Sequence, residues 1–428
     1  MARKQIRVGI LGLGSIGSGV IKLLQKNHAQ LLRRSGVDLV VSRVAVRNPR
    51  KARAVAVPAR RLTRDPRALV CDSTIDIVVE LMGGVQPAKT LIEMALRHKK
   101  YVVTANKELI AKHGFRLFQL AARQGADLYY EASVAGSIPI IRTLKLGYAA
   151  DQITEISGII NGTTNHILSQ MDQKGRTYQD ALREAQRAGY AEANPAADVQ
   201  GMDAAYKLAI LASIAFHAKI AVASIHREGI TELDPIDLTW ARRLGYVVKL
   251  LARAAQTPRG LTLSVCPTFI SRSHPLANVS GVYNAVFLKG NFVGDAMLYG
   301  RGAGSEPTAA AVVSDILDIV YSLGHGLTRR NLVTSYRAPK LLPLPATQSQ
   351  FYLRVEVFDK PGVLAQITQI LGRYRVSVAV VEQQPLAGRR ASLVIVTHQV
   401  VEKRMQAALQ GIRRLASVHA LRAVIRVA

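Results

Sequence analysis

A glycine-rich turn between a predicted strand and a predicted helix constrains this chain's fold more than any other feature. The opening residues read IRVGILGLGSIGSGVIKLL: an apolar strand, a glycine turn, then a helical pattern with Val20, Leu23 and Leu24 on one face. In this context GxGxxG allows a tight turn and lets a pyrophosphate approach the N–H groups at the helix start. The alternative is a glycine turn with a merely structural role. The residues predicted to bind a dinucleotide are Gly12, Leu13, Gly14, Ser15, Ile16 and Gly17.

Further strands and helices alternate after this turn. IDIVVEL and YVVTAN read as buried strands, and Pro87 opens a helical stretch between them. Such alternation with short links predicts an α/β fold with a Rossmann-type, doubly wound parallel sheet, whose ligands bind beyond the carboxyl ends of the strands. The helix dipole disfavours a lysine at a helix start, which favours a functional role for Lys107 over that of a routine surface residue. The residues predicted at these strand ends are Gly83, Thr104, Asn106 and Lys107.

The end of the second predicted strand, LVVSRVAV, indicates which cofactor is bound. An acidic residue there would bind the ribose 2′-hydroxyl of NAD, whereas this chain has Arg47. A guanidinium suits the 2′-phosphate of NADP, so NADP is favoured and NAD stays possible. The alternative is that Arg47 and its neighbouring arginines only coat a surface helix.

Length, charge and cysteine content limit the classes of function. A chain of 428 residues favours two or three domains. The net charge of +28 would suit nucleic acid, but the basic residues are spread along the chain without interleaved aromatic residues, so we expect no nucleic-acid partner. No signal peptide or membrane-length apolar run is evident, which predicts a cytoplasmic protein without a membrane partner. Cys71 and Cys266 lack paired spacing and nearby histidines, and are expected to be packing residues.

The segment GYAEANPAADVQGMDAAYKLAIL places three carboxylates, those of Glu192, Asp198 and Asp203, before a single amine, that of Lys207. Asp203 and Lys207 are four residues apart and would share one face of a helix. A helix that is apolar nearly all round is buried, and a buried lysine needs partners or a lowered pKa, both of which suit proton transfer. We therefore expect the acids to hold the ammonium of an amino-acid substrate while Lys207 meets its reacting oxygen. An ordinary ion pair between Asp203 and Lys207 is the alternative.

Two further turns carry polar groups with ordinary explanations. In YYEASVAGSIPII, Glu131 with loop carbonyls is a possible ligand set for a low-charge cation, although an ordinary strand-end turn is the better interpretation from spacing alone. In ISGIINGTTNHIL, Thr163, Thr164 and Asn165 are available for polar contacts, which helix capping explains equally well.

Over residues 5 to 340 the chain resembles homoserine dehydrogenase. The resemblance implies a NAD(P)-dependent oxidoreductase that interconverts L-homoserine and L-aspartate 4-semialdehyde in threonine, methionine and isoleucine biosynthesis. It also implies a Rossmann domain at 1–135, which residues 300–340 are expected to complete. An α+β catalytic and dimerisation domain is expected at 136–325. The assembly implied is a homodimer or homotetramer. The matching stretches are GLGSIGSGV, DIVVELMGG, VVTANKELIA, YEASVAGSIP, GIINGTTNHIL, GYAEANPAADVQGMDAAYKLAIL and GRGAGSEPTAAAVVSDI.

The resemblance also implies roles for individual residues. Lys207 becomes the proton donor and acceptor, and Lys107 a second active-site lysine near nicotinamide and substrate. Gly304, in GRGAGSEPT, becomes a cofactor contact. The residues implied in substrate binding and lysine orientation are Glu192, Asp198 and Asp203.

A sodium or potassium site is implied at the loop after Glu131. Its ligands would be the Glu131 carboxylate with the backbone carbonyls of Val134, Gly136 and Ile138. The resemblance therefore favours a cation site over the ordinary strand-end turn that spacing alone indicates. The chain departs from the family pattern in two places: VAGSIP replaces a glycine-richer run, and Asn194 stands where Asp is common. Neither departure removes a proposed catalytic group.

The C-terminal region, 349–428, follows a linker marked by Pro343 and Pro345. Its pattern predicts a ferredoxin-like βαββαβ module, and DKPGVLAQI makes it resemble an ACT regulatory domain. In homoserine dehydrogenases such a domain implies feedback control by threonine. The backbone N–H groups after Gly362 suit a ligand carboxylate, so the effector is expected near Asp359 and Gly362, across an interface between paired modules.

Two other functions compete with this interpretation. Aspartate-semialdehyde dehydrogenase also uses NADP, but its chemistry needs an activated cysteine nucleophile. An amino-acid-responsive regulatory protein, with a nucleotide fold as sensor and a basic surface for nucleic acid, is the rival of a different class. The joint presence of Lys107, Glu192, Asp203 and Lys207 speaks against it.

Overall fold

The structure is a computed structural model that describes residues 5–326, 336 and 338–428. These residues form two compact units, each assembled from three separate stretches of chain. The first unit comprises Met1–Ile156, Tyr206–Ala223 and Asn284–Pro339, and the second comprises Ser157–Ala205, Ser224–Tyr283 and Lys340–Ala428. The domain limits given above remain predictions.

The elements alternate between strand and helix in the first third of the chain, as the sequence indicates. The strands are β1 (Gln5–Leu11), β2 (Asp38–Ala45), β3 (Leu62–Thr63), β4 (Ile77–Glu80), β5 (Tyr101–Thr104), β6 (Leu128–Tyr129), β7 (Ile153–Ile159), β8 (His226–Arg227), β9 (Tyr246–Thr257), β10 (Gly260–Ser271), β11 (Tyr283–Gly290), β12 (Gly294–Arg301), β13 (Gln348–Phe358), β14 (Val378–Leu386), β15 (Arg390–Thr397), β16 (Val400–Val401) and β17 (Val418–Val427). The helices are α1 (Ser15–Lys26), α2 (His28–Ser35), α3 (Pro66–Cys71), α4 (Ala88–Arg97), α5 (Lys107–Gln124), α6 (Ile140–Arg142), α7 (Gly162–Lys174), α8 (Tyr178–Arg187), α9 (Ala196–Val199), α10 (Met202–Ala215), α11 (Pro235–Arg243), α12 (Ser305–Gly324), α13 (Val363–Arg373) and α14 (Glu402–Arg413).

A six-stranded sheet in the order β3-β2-β1-β4-β5-β6 organises the first unit. All neighbouring strands in it are parallel. The order reverses at β1, which has β2 on one side and β4 on the other. The predicted doubly wound sheet is confirmed, and the carboxyl ends of β1, β2, β4 and β5 meet at one edge, where such sheets bind their ligands.

Helix α12 completes the core of this sheet from far along the chain. Val312 and Ile316 belong to the same buried apolar cluster as Val8 of β1 and Val20 of α1. Among the described residues, α12 alone is long and apolar enough to cross a membrane, and 56% of its apolar window is buried. Because its apolar side chains face the core beside α1, we assign α12 as a core helix.

The second unit contains a run of neighbouring strands in the order β9-β10-β17-β13-β15-β14. Its last four strands, with α13 and α14, follow the chain order β13-α13-β14-β15-α14-β17, so the predicted βαββαβ module is confirmed. The module has its own apolar core, in which Leu353 and Ile395 pack beneath Ile367 and Leu409. The two-residue strand β16, which the sequence does not reveal, pairs with the start of β13.

The C-terminal module is joined to the rest of the second unit by more than its linker. Strand β17 pairs in parallel with β10, where Thr268 lies opposite Arg426. The buried Arg354 donates from Nε to Asp237 Oδ1 at 2.6 Å, and the Tyr352 hydroxyl donates to the same oxygen at 2.9 Å. A buried charge needs a partner, so these contacts make the module and helix α11 depend on each other for stability.

Candidate functional site

The three glycines of the first turn have different steric surroundings. A Cβ on Gly12, whose φ is +99°, would lie 2.8 Å from the carbonyl oxygen of Leu81. A Cβ on Gly17 would lie 2.5 Å from the carbonyl oxygen of Gly12, whereas one on Gly14 would meet no protein atom within 4 Å. Gly12 and Gly17 therefore close the turn, and the backbone at Gly14 faces open space in which a pyrophosphate fits.

A cleft of about 460 Å³ opens beside this turn. Met82 and Gly83, after β4, line it together with Gly12 and Gly14. The cleft also has a cationic lining, because Arg47 at the end of β2 borders it with Lys51, Arg53 and Arg64. Arg53 is held by backbone carbonyls, donating to those of Lys51 and Asn48 at 2.6 and 2.5 Å. The cleft joins a phosphate-compatible turn to a wall of positive charge.

Glu80, the last residue of β4, organises the loops at this edge. Its buried carboxylate accepts hydrogen bonds from the Met82 N–H at 2.7 Å and from the Thr104 hydroxyl at 2.6 Å. Asn106 then donates from its side chain to the carbonyl of Gly84 at 2.6 Å. This network fixes the loop of Gly83 against the end of β5. Glu80 carries no signal in the sequence, because a carboxylate within a buried strand gives no motif of its own.

Lys107 is the first residue of α5, directly beyond β5, as predicted. Its neighbour Glu108 accepts a hydrogen bond from the hydroxyl of Tyr206 at 3.4 Å and pairs with Lys112 at 2.6 Å. Tyr206 directly precedes Lys207 in α10. The contact between Glu108 and Tyr206 therefore ties together the two helices that carry the candidate lysines.

Helix α10 is buried, and Lys207 within it is only 7% exposed. Its predicted partner Asp203 is 4% exposed and lies one turn earlier in the same helix. Regular helix begins at Met202, after the short helix α9 that contains Asp198. A lysine and a carboxylate so far removed from water and one turn apart form a suitable pair for moving a proton.

Asn161 brings two of the predicted acids together. Its side-chain amide donates to Asp198 at 2.7 Å and to Asp203 at 2.8 Å. Its oxygen caps α7 by accepting the N–H of Thr164 at 2.8 Å. Glu192 lies in the loop after α8 with an exposed side chain. The sequence signal at Asn161 is that of a helix cap between β7 and α7, and it does not reveal the two acids that Asn161 binds.

The loop that begins at Glu131 is buried and tightly held. The Glu131 carboxylate accepts the N–H groups of Ile141 and Arg142, both at 2.8 Å. Burial raises the pKa of Glu131, although these two hydrogen bonds act to lower it. Gly136 has a φ of +54°, and a Cβ there would lie 2.8 Å from the carbonyl oxygen of Arg301. The predicted cation ligands thus include a carboxylate that also anchors the start of α6.

The predicted effector turn is exposed in the C-terminal module. Gly362 precedes α13 with a φ of +85°, no side chain caps the helix, and a Cβ on Gly362 would meet no protein atom within 4 Å. The Asp359 carboxylate accepts a hydrogen bond from Gln383 at 3.2 Å. The helix start is open to a small anionic group. The effector expected at this turn stays a prediction.

The two cysteines differ in their surroundings, which corrects the expectation that both are packing residues without histidine partners. Cys71 is exposed, and its Sγ lies 3.4 Å from Nε2 of His98. Cys266 is buried, and burial raises the pKa of its thiol to about 12. A thiol that stays protonated is a poor nucleophile, so Cys266 does not supply the activated cysteine that aspartate-semialdehyde dehydrogenase chemistry requires.

His226, Glu228 and Cys266 place three metal-compatible donor atoms within 4.8 Å of one another. The Glu228 carboxylate is already held, since both of its oxygens accept hydrogen bonds from Arg426 at 2.8 Å. Burial alone would raise the pKa of Glu228, but the hydrogen bond from His226 and the charge of Arg426 lower it to about 2. We therefore assign this cluster to the attachment of β17 and not to metal binding.

Comparison with known proteins decides the family. Family models match in three consecutive regions: homoserine dehydrogenase, NAD binding domain, at 12–131; homoserine dehydrogenase at 139–317; and ACT domain at 351–416. The homoserine dehydrogenase of Neisseria gonorrhoeae is 40% identical over 96% of both chains, and that of Synechocystis is 42% identical over 99% of both. The chain belongs to the homoserine dehydrogenase family.

Solved structures of homoserine dehydrogenases agree with this assignment. That from Thiobacillus denitrificans has a TM-score of 0.94 at 42% identity and covers 99% of this chain and 98% of its own. A hyperthermophilic archaeal homoserine dehydrogenase in complex with NADPH has a TM-score of 0.64 at 27% identity, covering 74% of this chain and 98% of its own. The chain is thus a homoserine dehydrogenase with a nicotinamide-nucleotide-binding domain and an ACT domain, and the resemblance stated from its motifs is confirmed.

Proposed function

We propose that this homoserine dehydrogenase oxidises L-homoserine to L-aspartate 4-semialdehyde, or runs the reverse reaction, with Lys207 as proton donor and acceptor. The observation that carries the proposal is the group around Asn161: its amide holds Asp198 and Asp203, and Asp203 lies one turn before the buried Lys207. The nicotinamide cofactor, when bound, supplies the hydride acceptor or donor. Lys207 removes the proton from the alcohol oxygen as the carbon–hydrogen bond breaks, which avoids an unstable alkoxide.

The acids and the second lysine have distinct tasks in this proposal. Asp198 and Asp203, with Glu192, bind the substrate ammonium, and Asp203 also orients Lys207. Lys107 at the start of α5 lies at the strand-end edge of the sheet and holds the substrate beside the nicotinamide. The direct test is an absorbance assay of nicotinamide reduction with purified protein and L-homoserine. Absence of homoserine oxidation would refute the proposal.

The preferred cofactor is NADP. The supporting observation is the cationic wall of the cleft, where Arg47 lies at the end of β2 and Lys51 and Arg64 line the same space. A 2′-phosphate carries the negative charge that such a wall attracts, whereas NAD offers only hydroxyl groups there. Gly12 to Gly17 hold the pyrophosphate, and Thr104 and Gly304 border the same edge. Ser305, after Gly304, donates to the carbonyl of Ser15 at 2.6 Å, which supports that placement.

A sodium or potassium ion bound by Glu131 and the carbonyls of Val134, Gly136 and Ile138 belongs to the same proposal. The residues present fit such an ion, because all four donors are oxygens and one buried carboxylate matches a single positive charge. The Glu131 carboxylate already accepts two N–H groups, so the ion would bind at its remaining lone pairs. Activity measured in sodium, potassium and bulky organic cation salts tests this part.

The proposed effector is threonine, bound at the turn of Asp359 and Gly362. The open, uncapped start of α13 supports an amino-acid carboxylate at this position.

We also propose a cytoplasmic homodimer or homotetramer that serves threonine, methionine and isoleucine biosynthesis. Exposed apolar side chains on β12 support self-association, with Met297 and Tyr299 at 40% and 53% exposure. Light scattering on the purified protein measures the assembly.

A further inference from the structure

A cluster of soft donor atoms lies on the first unit, outside every site described above. The Sγ of Cys71, the last residue of α3, is 3.6 Å from Sδ of Met94 and 3.4 Å from Nε2 of His98. Met94 and His98 are four residues apart, in α4 and at its C-cap, so they project toward the same side. Cys71 and His98 are exposed and Met94 is partly buried, so the cluster is open to an ion from solvent.

We propose that Cys71, Met94 and His98 form a binding site for a soft monovalent metal ion of the copper(I) class. In zinc sites the metal–thiolate and metal–imidazole bonds are about 2.3 and 2.0 Å, and bonds of similar length to copper(I) would place two donors about 3.5 to 4 Å apart. The two separations in the structure fall at the lower end of this range or just below it. A thioether beside a thiolate is a soft ligand set that favours copper(I), whereas hard divalent ions such as magnesium, calcium and manganese prefer oxygen ligands.

Hydrogen bonds join the two chain segments that follow the donor residues. Lys100, which follows His98 and is 5% exposed, donates from its ammonium to the carbonyls of Asp72 and Ile75, both at 2.6 Å. These bonds fix the segment after Cys71 to the segment after α4. A monovalent ion also leaves the charge of the site unchanged, since copper(I) with one thiolate adds no net charge, whereas a divalent ion would add one.

Binding at this cluster is a simple exchange of proton for metal. The Cys71 thiol releases its proton to solvent as the sulfur–metal bond forms, and neither metal nor protein changes oxidation state. The cluster lies where α3 and α4 end, just before β4 and β5 begin. That edge is opposite to the strand ends that carry Gly83, Thr104 and Lys107, so none of the three donors belongs to the proposed catalytic machinery.

The test is a competition titration of the full-length, reduced protein with copper(I) and a chromophoric copper(I) chelator under anaerobic conditions. We expect one tightly bound ion per chain, release of one proton, and loss of this binding in Cys71→Ser. Met94→Leu removes the thioether but keeps the side-chain volume, and His98→Gln removes the imidazole but keeps a polar side chain. Each should weaken binding at least tenfold, because each removes one ligand.

Cys266→Ala is the matched control, since it removes the other thiol and should leave stoichiometry and affinity unchanged. Thermal melting confirms that each variant is folded, and homoserine oxidation should stay at the wild-type rate in all of them. Unchanged affinity in both Met94→Leu and His98→Gln would overturn the proposal, because a single thiol would then account for binding. Retention of the tight ion in Cys71→Ser would overturn it as well.

Discussion

The side-chain amide of Asn161 donates a 2.8 Å hydrogen bond to the carboxylate of Asp203, and both side chains are buried. The same amide holds Asp198, so one neutral residue keeps two negative charges in a fixed arrangement. Two adjacent carboxylates repel each other, and an amide that donates to both offsets part of that repulsion. Asn161 is therefore a positioning residue for the acids that we assign to the substrate ammonium.

Replacing Asn161 by Ala should raise the KM for homoserine and leave the KM for NADP nearly unchanged. Hydrogen bonds to charged groups contribute about 1.5–3 kcal/mol, so the increase should be roughly 10- to 100-fold. Steady-state kinetics with each substrate varied in turn measure the effect. Asn161 also caps α7, so Thr177→Ala, which removes the N-cap of α8, is the control for lost capping. Similar kinetic effects in the two variants would assign Asn161 a purely structural role.

Lys207→Ala should lose most of kcat while binding NADP normally. A positioned acid–base group contributes about 10² to 10⁴ in rate, and this loss should appear in kcat, because the proton moves in the chemical step. Stopped-flow assays and cofactor titration measure the two quantities separately. Lys219→Ala, an exposed lysine beyond the end of α10, serves as the control. Turnover within a few-fold of the wild type would remove Lys207 from its assigned role.

Arg47→Ala should narrow the preference for NADP over NAD by about 10- to 100-fold, the equivalent of one lost charge-assisted hydrogen bond. The kcat/KM with NAD should hardly change, since NAD has no 2′-phosphate. Arg50→Ala is the matched control: Arg50 is exposed and close in sequence but does not line the cleft. A wild-type enzyme that prefers NAD would contradict the interpretation of Arg47.

The buried contact between the C-terminal module and α11 leads to a prediction about stability. Arg354→Met leaves Asp237 buried without its charge partner, which should cost about 3–5 kcal/mol in urea unfolding. The triple variant Arg354→Met, Asp237→Leu, Tyr352→Phe removes the whole polar group and should regain most of that loss. If the single variant unfolds like the wild type, this contact does not hold the module in place.

The same contact changes how threonine control should be tested. Cutting the chain near Pro345 would also remove Arg354 and Tyr352 from Asp237, so lost activity would not distinguish regulation from unfolding. Asp359→Ala in the intact enzyme avoids this difficulty. We expect a higher threonine concentration for half-inhibition with an unchanged uninhibited rate, whereas Lys403→Ala on α14 should leave inhibition as it was. Normal inhibition in Asp359→Ala would place the effector elsewhere.

Lys249 provides a pH-dependent test of the second unit. Burial lowers the pKa of Lys249 to about 8, and its ammonium donates to the carbonyl of Val279 at 2.5 Å. Between pH 8 and about 10.5 the unfolded chain binds the proton that the folded chain has lost, so stability should rise with pH over this interval. The difference in unfolding free energy between wild type and Lys249→Met should show that rise. A flat difference across the interval would contradict a lowered pKa.

The sequence predicted features that depend on local chemistry or periodicity. The glycine turn, the doubly wound sheet, the βαββαβ module and the buried helix of Lys207 all have such signals, and the structure contains them. Glu80 and Asn161 escaped notice because their partners, Thr104 and Asp203, are distant in sequence. The pairing of Cys71 with His98 was missed for the same reason, since it arises from the packing of α3 beside α4. A contact between two single polar residues that are distant in the chain produces no periodic pattern in one sequence.

The packing of α12 on α1 has a consequence for how the chain folds during synthesis. The hydroxyl of Ser305 reaches the carbonyl of Ser15 across 290 positions of sequence. At about 5–20 residues per second a ribosome needs roughly 15 to 60 seconds to cover that interval. Throughout that time the apolar face of α1, with Val20 and Leu24, lacks the helix that covers it. The core of the nucleotide-binding sheet can therefore be completed only after α12 has been synthesised, and until then its apolar surface stays exposed to other nascent chains.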